Sequence, residues 1–180
     1  MAKKRVKKIK KKVVRKIAVS QSNKIILKVK PIALGAEIPY YNYESDVGFD
    51  LRANETIKLF PGEQKAVRTG LVFEIPEGHV GLIRDRAGIV QKMGVHTTAG
   101  TFDSGFRGEI SIMLVNLSEE TQYIEKDMRI AQMIIIPVVK PKIIEVEELS
   151  ETKRGEKSFC STGMKSIEEL NEMMKKVKKK

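Results

Sequence analysis

The sequence has no tryptophan, a single cysteine and an aromatic share of only 6% in its 180 residues. A core built without tryptophan must be largely aliphatic, and Ile, Val, Leu and Met supply it here. Because Cys160 has no second cysteine to pair with, no internal disulfide is expected, and this usage suits a reducing compartment. We therefore expect a cytoplasmic protein. No apolar run reaches the ~18 residues of a membrane span, and the basic N-terminus lacks the apolar stretch of a secretory signal.

The net charge of +11 is concentrated at the two ends of the chain. Residues 1–30 hold 13 Lys or Arg and no acidic residue, and residues 165–180 hold six Lys and three Glu. Residues 31–164 carry 15 basic and 20 acidic residues, so the central part is mildly acidic. At this length we expect one folded domain with extensions, and the basic character belongs to the extensions.

Residues 1–24 form a basic arm that is compatible with two structures. Apolar residues recur among the lysines at helical spacing, which would give a basic amphipathic helix on an anionic partner. These residues are Val6, Ile9, Val13, Val14 and Ile17. Like-charge repulsion favours a disordered, solvated tail instead, and a disordered arm is our prediction. A lysine-rich arm can also contact nucleic acid weakly through counterion release.

Short apolar segments separated by turn signals make up the centre of the sequence. The predicted strands are 25–30, 65–75, 79–84, 110–116 and 132–139, with a short helix at 88–93. Residues 110–116 alternate as in a half-buried strand, whereas 132–139 is apolar on both faces and should be buried on both. Many short strands with regularly spaced turns predict an all-β domain, a sandwich or barrel, over residues 25–149.

Two segments follow the predicted β domain. A polar linker at 140–153 leads into the fifth of the motifs described below, which we place on a mobile C-terminal arm at 150–164. Ser166 followed by Glu169 is a capping-box pattern. Apolar residues then recur at helical spacing, so residues 165–180 are predicted to form a short amphipathic, Lys-rich helix or tail.

Five short motifs occur in a fixed order between residues 45 and 163. They are SDVGFDL at 45–51, RDRAG at 84–88, AGTFDSGFRGE at 99–109, RIAQ at 129–132 and RGEKSFCSTG at 154–163. Together they resemble the motifs of the trimeric dUTP pyrophosphatases (dUTPases), and the resemblance spans about residues 32–163. It implies a distorted jelly-roll or β-clip barrel that forms a homotrimer. It also implies hydrolysis of dUTP to dUMP and pyrophosphate, which keeps uracil out of DNA and supplies dUMP for dTMP synthesis.

The resemblance also implies roles for individual residues. Asp103 would activate the attacking water, although an Asp before Ser104 is by itself typical of a turn. Residues 94–100 would form a hairpin whose main-chain groups pair with uracil, and His96 within it is expected to be structural. The implied substrate-binding residues are Arg86, Ala87, Gly88, Gly100, Thr101, Phe106, Gln132, Arg154, Phe159, Cys160, Ser161 and Thr162. Mg²⁺ bound to the triphosphate is the implied cofactor, with Asp50 supporting it indirectly through water.

The second and third motifs each depart from the family pattern at one position. Ala87 stands where the family usually has a serine, so a hydrogen bond from a hydroxyl to a phosphate oxygen is missing. We expect slower turnover rather than none. Phe106 replaces the usual tyrosine, whose ring packs on the deoxyribose. Because phenylalanine keeps the ring face, selection against ribose should survive.

The fifth motif differs from the family pattern at more positions than the second and third motifs do. Arg154 should grip the γ-phosphate, and Phe159 should cover the uracil when the arm orders over bound nucleotide. Glycines of the family are replaced here by Lys157, Ser158 and Cys160. If those positions need a positive φ, closure of the arm becomes harder.

Two other functions stay open at this point. A non-catalytic dUTPase-like protein that binds nucleotide or a protein partner is consistent with Ala87 and with the altered fifth motif. The dCTP deaminases share the fold and several motifs, but their deaminating glutamate is replaced here by Met113, which cannot transfer protons. In the dUTPase family each site takes motifs one, two and four from one subunit, the third motif from a neighbour and the fifth from the remaining subunit.

Overall fold

The computed structural model describes residues 25–156, which belong to two compact units, Met1–Lys140 and Pro141–Lys180. The described part of the first unit contains ten strands and one helix. They are β1 (Lys28–Pro31), β2 (Phe49–Arg52), β3 (Ile57–Leu59), β4 (Gln64–Glu74), β5 (His79–Arg84), α1 (Ala87–Met93), β6 (Val95–Ala99), β7 (Thr101–Asp103), β8 (Glu109–Asn116), β9 (Gln122–Ile124) and β10 (Arg129–Pro137). Residues 141–156 of the second unit form neither helix nor strand. The basic arm at 1–24 and the predicted helix at 165–180 lie outside the described residues.

The strands form two four-stranded sheets and a two-stranded ribbon. The first sheet has the order β1-β4-β8-β6, the second has the order β2-β10-β5-β7, and β3 pairs with β9. All of these pairings are antiparallel. One hydrophobic cluster takes residues from both sheets, and the rings of Phe49 on β2 and Phe73 on β4 lie 6.0 Å apart in it. The predicted all-β class is confirmed.

Strand β8 shows how the pattern of the sequence produces the core. Ile110, Ile112 and Leu114 are fully buried, while the residues between them are half-exposed. This is the period of two that places alternate side chains on opposite faces. The last inward position is Asn116, whose buried amide donates to the carbonyl oxygens of Leu59 and Glu120 at 3.0 and 2.8 Å. The predicted alternation of this strand is therefore confirmed, and its polar end is satisfied by hydrogen bonds.

Two sequence-based expectations are corrected. The first strand begins at Lys28 rather than at residue 25. The prediction that 132–139 is buried on both faces is wrong for its second half, since Ile134 and Ile135 are half-buried and Ile136 is 36% exposed. Strand β10 has hydrogen-bonded neighbours on both edges. An apolar segment in such a central strand need not have both of its faces covered within one chain.

The hairpin formed by β6 and β7 crosses from one sheet to the other. Strand β6 is the last strand of the first sheet and pairs with β8, whereas β7 is the last strand of the second sheet and pairs with β5. Gly100 joins them, and its carbonyl oxygen accepts the N–H of Ile83 at 2.8 Å. A Cβ at position 100 would lie 2.5 Å from the Cβ of Ile83. This crossing therefore requires glycine.

The predicted short helix is confirmed as α1. It ends at Gly94, which has a left-handed conformation (φ 63°) and donates its N–H to the carbonyl oxygen of Val90 at 2.9 Å. This turn leads directly into β6. Among residues 25–156, no helix has the length and the hydropathy needed to cross a membrane.

Candidate active site

Three of the five motifs meet at a cavity of about 530 Å³ beside the second sheet. Strand β10 pairs with β2 on one edge and with β5 on the other, so that Gln132 lies opposite Asp50 and also opposite Arg84. Arg86 follows the end of β5 by two residues. The lining residues are Asn42, Tyr43, Asp46, Val47, Gly48, Asp50, Arg86, Ala87, Gly88, Arg129 and Gln132. The structure thus brings together five residues predicted for the site, namely Asp50, Arg86, Ala87, Gly88 and Gln132.

A salt bridge between Asp50 and Arg86 organises this cavity. Asp50 Oδ1 accepts Nε of Arg86 at 2.7 Å, and the carboxylate side chain is only 16% exposed. Its Oδ2 atom accepts longer bonds from Asn42 at 3.3 Å and from Arg129 at 3.5 Å. A guanidinium held through Nε in this way has a fixed plane, and a fixed plane suits recognition of a phosphate group. Asp50 therefore orients Arg86.

The surroundings of the Asp50 carboxylate indicate how a magnesium ion could be bound at this site. It is already surrounded by two guanidinium groups, and the described residues contain no cluster of three or more His, Cys, Asp or Glu side chains. Mg²⁺ usually keeps several waters and binds substrate phosphates together with one or two carboxylates. The described residues therefore fit an ion carried by a triphosphate better than an ion held in a protein cage. The indirect role of Asp50 stays a prediction.

Exposed tyrosines are concentrated in the segment before β2, and one of them lines the same cavity. Three of the four tyrosines of the chain are Tyr40, Tyr41 and Tyr43, and each is more than half exposed. Tyr43 lines the cavity, and its backbone N–H donates to the carboxylate of Asp46 at 2.9 Å. Tyr40 and Tyr41 line two other cavities, so Tyr43 is the tyrosine of this segment that borders the candidate site.

A second, smaller cavity of about 230 Å³ lies between β5 and the hairpin. Its lining residues are Leu82, Ile83, Arg84, Thr97, Thr98, Ala99, Gly100 and Thr101. Because β6 and β7 pair with different sheets and not with each other, the hairpin opens here instead of closing as an ordinary β-hairpin. Gly100 and Thr101, both predicted for the site, line this opening.

Asp103 and Phe106 lie away from the larger cavity. Asp103 ends β7 opposite Val80, and Val80 precedes Arg84 by four residues along β5. At ~3.3 Å per residue this places Asp103 roughly 13 Å along the strand from the end that leads to Arg86. Phe106 is 40% exposed and packs on Phe102 with ring centroids 5.7 Å apart. Within one chain, Asp103 and the segment 84–88 are therefore not brought together.

The fifth motif lies in the second compact unit. Arg154 is exposed and belongs to a turn in which the N–H of Gly155 donates to the carbonyl oxygen of Thr152 at 3.1 Å. The other residues predicted from this motif, Phe159, Cys160, Ser161 and Thr162, lie outside the described residues.

Asp85 is a polar centre that the sequence analysis missed. Its Oδ1 atom accepts the backbone N–H of Thr97 at 2.7 Å and the Thr97 hydroxyl at 2.6 Å, and its Oδ2 accepts Nδ1 of His96 at 2.9 Å. Its carbonyl oxygen accepts the side-chain amide of Gln132 at 2.9 Å. Asp85 therefore joins the second motif to the hairpin and to the fourth motif. The position directly before Arg86 was the only sequence signal for it.

Comparison with known proteins identifies the family of the chain. The family model described as dUTPase matches residues 35–163. The chain belongs to the dUTPase family. A curated deoxyuridine 5'-triphosphate nucleotidohydrolase from Nautilia profundicola is 48% identical over 139 residues, which cover 76% of this chain and 98% of that protein.

Two solved dUTPase structures extend the comparison. A variant dUTPase of Staphylococcus bacteriophage 80alpha, solved with dUpNHpp, is 32% identical with a TM-score of 0.73, and the match covers 77% of this chain and 99% of that one. A variant dUTPase from phage phi11 of S. aureus, described with a structural Mg(II) ion, is 26% identical with a TM-score of 0.66, and covers 70% of this chain and 99% of that one. The predicted dUTPase-like β-clip or jelly-roll fold is confirmed.

The surroundings of Asp85 predict how stability depends on pH. Partial burial raises the pKa of Asp85, but the hydrogen bonds from the Thr97 hydroxyl and N–H and from His96 outweigh it, so the pKa lies below the usual 3.8. A carboxylate with a lowered pKa in the folded state stabilises the fold above the unfolded pKa, and this contribution is lost as the pH falls through the folded value. We expect Asp85→Asn to destabilise the protein near pH 7, and the difference from wild type to shrink below about pH 4.

Urea unfolding followed by far-ultraviolet circular dichroism measures this difference at each pH. The exposed carboxylate variant Glu119→Gln serves as a control for the loss of one negative charge. A difference between wild type and Asp85→Asn that stays constant from neutral pH to pH 3 would show that the charge of Asp85 adds nothing to these hydrogen bonds.

Proposed function

We propose that this chain hydrolyses dUTP to dUMP and pyrophosphate at a site in which residues 84–88 bind the phosphates and residues 94–101 bind the base. The observation that carries this proposal is the convergence of Asp50, Arg86 and Gln132 from three different motifs on one cavity. Family membership and the names of curated relatives support the reaction. The reaction keeps uracil out of DNA and supplies dUMP for dTMP synthesis.

Base selection follows from the open hairpin. A strand at the edge of a sheet has main-chain donors and acceptors that no neighbouring strand uses. The smaller cavity is lined by such a strand at residues 98–99 and by Gly100, while the N–H of Thr97 already donates to Asp85. A uracil edge can pair with these groups, whereas the exocyclic amine of cytosine presents a donor where uracil presents an acceptor. Each mismatched buried polar group costs about 1–3 kcal/mol. Gly100 allows the backbone to approach closely, and Thr101 lies beside it.

The chemical step is an in-line displacement at the α-phosphorus. The oxygen of a water molecule forms a bond to the α-phosphorus, the bond to the oxygen that bridges the α- and β-phosphates breaks, and pyrophosphate leaves. Asp103 accepts the proton of the attacking water as general base. Its exposed position at the end of β7 leaves the carboxylate accessible to such a water. Phe106 offers a ring face for the deoxyribose.

Phosphate binding falls to the segment after β5 and to the C-terminal arm. Arg86, oriented by Asp50, supplies a charged donor to the triphosphate, and Gln132 supports the same segment through the carbonyl oxygen of Asp85. Arg154 would reach the γ-phosphate when the arm closes. Mg²⁺ bound to the triphosphate would neutralise charge on the leaving pyrophosphate. The arm residues Phe159, Cys160, Ser161 and Thr162 complete the proposed site.

A homotrimer with shared sites accounts for the separation of Asp103 from Arg86. If each site takes the third motif from one subunit and the second motif from another, the distance along β5 within one chain no longer matters. The half-covered face of β10 and other exposed apolar side chains, such as Leu34, supply apolar surface that neighbouring subunits can bury. The cytoplasmic location stays a prediction.

The two alternatives are weaker on this geometry. Met113 lies on β8 at the position where a deaminase would need its glutamate, and a thioether cannot exchange protons. A non-catalytic binding protein is favoured by Ala87, whereas membership of the dUTPase family and the names of curated relatives favour hydrolysis. We therefore retain hydrolysis, with Ala87 as a reason for reduced turnover.

The first test measures pyrophosphate release from dUTP, dCTP, dTTP and UTP in the presence of Mg²⁺. We expect turnover of dUTP alone, and its loss in Asp103→Asn, because the amide cannot accept a proton from water. Turnover of dCTP to dUTP would favour a deaminase. No turnover of any nucleotide would favour the binding protein.

Mixing inactive variants tests whether the sites are shared. Asp103→Asn and Arg86→Gln each remove one half of the proposed site, so subunit exchange between the two proteins should restore part of the dUTP turnover. Each variant taken through the same exchange procedure alone should stay inactive. A mixture that stays inactive although mass measurements show mixed trimers would rule out a site built from two chains.

Ala87 leads to a prediction of improved activity. Ala87→Ser introduces the hydroxyl that the family usually places there, and a hydrogen bond to a charged group is worth about 1.5–3 kcal/mol. We expect kcat/KM for dUTP to rise by roughly tenfold. Ala87→Val is the matched control, since it adds bulk without a donor. An unchanged kcat/KM in Ala87→Ser would mean that the phosphate is held without this contact.

The basic arm supports an additional contact with nucleic acid. Its lysines lie outside residues 35–163, which the family model matches, so removal of residues 1–24 should leave dUTP turnover intact. We expect the full chain to bind duplex DNA in low salt, with an affinity that falls steeply as salt rises. Fluorescence anisotropy of labelled DNA gives both affinities. Equal affinity with and without the arm at low salt would contradict this role.

A further inference from the structure

Asp85 lies in the sequence between a residue that lines the smaller cavity and a residue that lines the larger one. The residue before it, Arg84, lines the smaller cavity, and the residue after it, Arg86, lines the larger one. The side chain of Asp85 lines neither cavity and points instead to the hairpin, where it accepts three hydrogen bonds from His96 and Thr97. This carboxylate therefore connects the segment 84–88, proposed to bind the phosphates, to the hairpin, proposed to bind the base.

The hydrogen bond from the backbone N–H of Thr97 to Asp85 lies at the edge of β6 that pairs with no other described strand. Strand β6 has β8 on one side only, and Thr97 lies opposite Leu114 of β8. Asp85 takes the Thr97 N–H that would otherwise point to solvent or to a ligand. The register with β8 then shifts between Thr97 and Ala99, as in a β-bulge. Such irregularities redirect backbone groups and are common beside binding sites. Asp85 thus fixes Thr97, which is the last residue of β6 in regular register and the first residue of the hairpin that lines the smaller cavity.

His96 provides a second connection to the same carboxylate. Its Nδ1 atom donates to Asp85 Oδ2 at 2.9 Å, and both side chains are about one-third exposed. A carboxylate that accepts bonds from consecutive residues of one strand restrains the strand against both sliding and tilting. The backbone of Asp85 is itself restrained, because its carbonyl oxygen accepts the amide of Gln132 on β10. The hairpin is thereby tied to the sheet that carries the phosphate site.

We propose that Asp85, acting through His96 and Thr97, is a positioning residue that sets the geometry of the base-binding hairpin relative to the phosphate-binding segment, and so determines the affinity for dUTP. This inference rests on the proposed function. Neither Asp85 nor His96 touches the reacting atoms, so loss of their contact should weaken nucleotide binding and leave the chemical step of bound substrate nearly unchanged.

The experiment compares two substitutions at His96 with a control at the other histidine of the chain. His96→Asn places an amide N–H near the position of Nδ1 and keeps the donor, whereas His96→Leu removes it. His79→Leu is the matched control, because His79 begins β5 at the end away from Arg84, its ring Nδ1 lies 3.0 Å from the carbonyl oxygen of Glu77, and it lines neither of the two cavities. Asp85→Ala removes all three bonds. Binding of dUpNHpp, in which an imido group replaces the bridging oxygen that is cleaved, is measured by calorimetry alongside KM and kcat for dUTP.

We expect Asp85→Ala to raise Kd and KM by roughly tenfold or more and His96→Leu by roughly three- to tenfold, with kcat within about threefold of wild type. His96→Asn should recover most of the wild-type affinity, and His79→Leu should match wild type. Thermal unfolding of each variant reports stability separately. A lowered unfolding temperature with unchanged Kd and KM in Asp85→Ala and His96→Leu would mean a purely structural role and would overturn the proposal.

The same data separate this inference from the proposed function. If wild type hydrolyses dUTP and the variants bind dUpNHpp normally, only the positioning role fails. If wild type binds dUpNHpp without hydrolysing dUTP, hydrolysis fails, and the Kd values still decide the positioning role. If wild type neither binds nor hydrolyses, both proposals are wrong.

Discussion

Gly100 and Ile83 lie too close together for any side chain at position 100, and the candidate site depends on this contact. The backbone bond between them fastens the point at which the hairpin leaves one sheet and enters the other. Since the two hairpin strands pair with different sheets, a cavity opens between β5 and the hairpin. A closed hairpin would satisfy its own backbone groups and leave none for a base. The tight contact at one residue thus leaves open the cavity that we propose for base recognition.

Electrostatics and strand register contribute to the site in different ways. Register alone aligns Gln132 with Asp50 and with Arg84, because β10 lies between β2 and β5. The salt bridge of Asp50 with Arg86 then adds orientation. Partly buried ion pairs give little net stability, because desolvation offsets their attraction. The main effect of this pair is therefore to fix the direction of the Arg86 guanidinium, and its contribution to the stability of the fold is small.

The fold class was predictable from the period of the strands, whereas the candidate site residues came from the order of the motifs and stay predictions. Residues 110–116 alternate with period two, and Gly100 precedes the candidate base in a motif whose order is distinctive. The exposure of Ile136 was not predictable, because it depends on what covers one face of a central strand. Nor was the role of Asp85, whose partners His96 and Thr97 are eleven and twelve residues away. These residues come into contact only because α1 and the turn at Gly94 reverse the direction of the chain.

The absence of tryptophan gives this chain an unusual optical property. The ultraviolet emission of most proteins is dominated by indole, which here is missing. The four tyrosines are then the emitting groups, and three of them lie at positions 40–43, with Tyr43 in the wall of the larger cavity. Tyr43 therefore contributes emission from the wall of this cavity, while the other three tyrosines report on other surroundings. Because no indole emission overlies it, the change in this contribution when the cavity is occupied can be measured in the unlabelled protein.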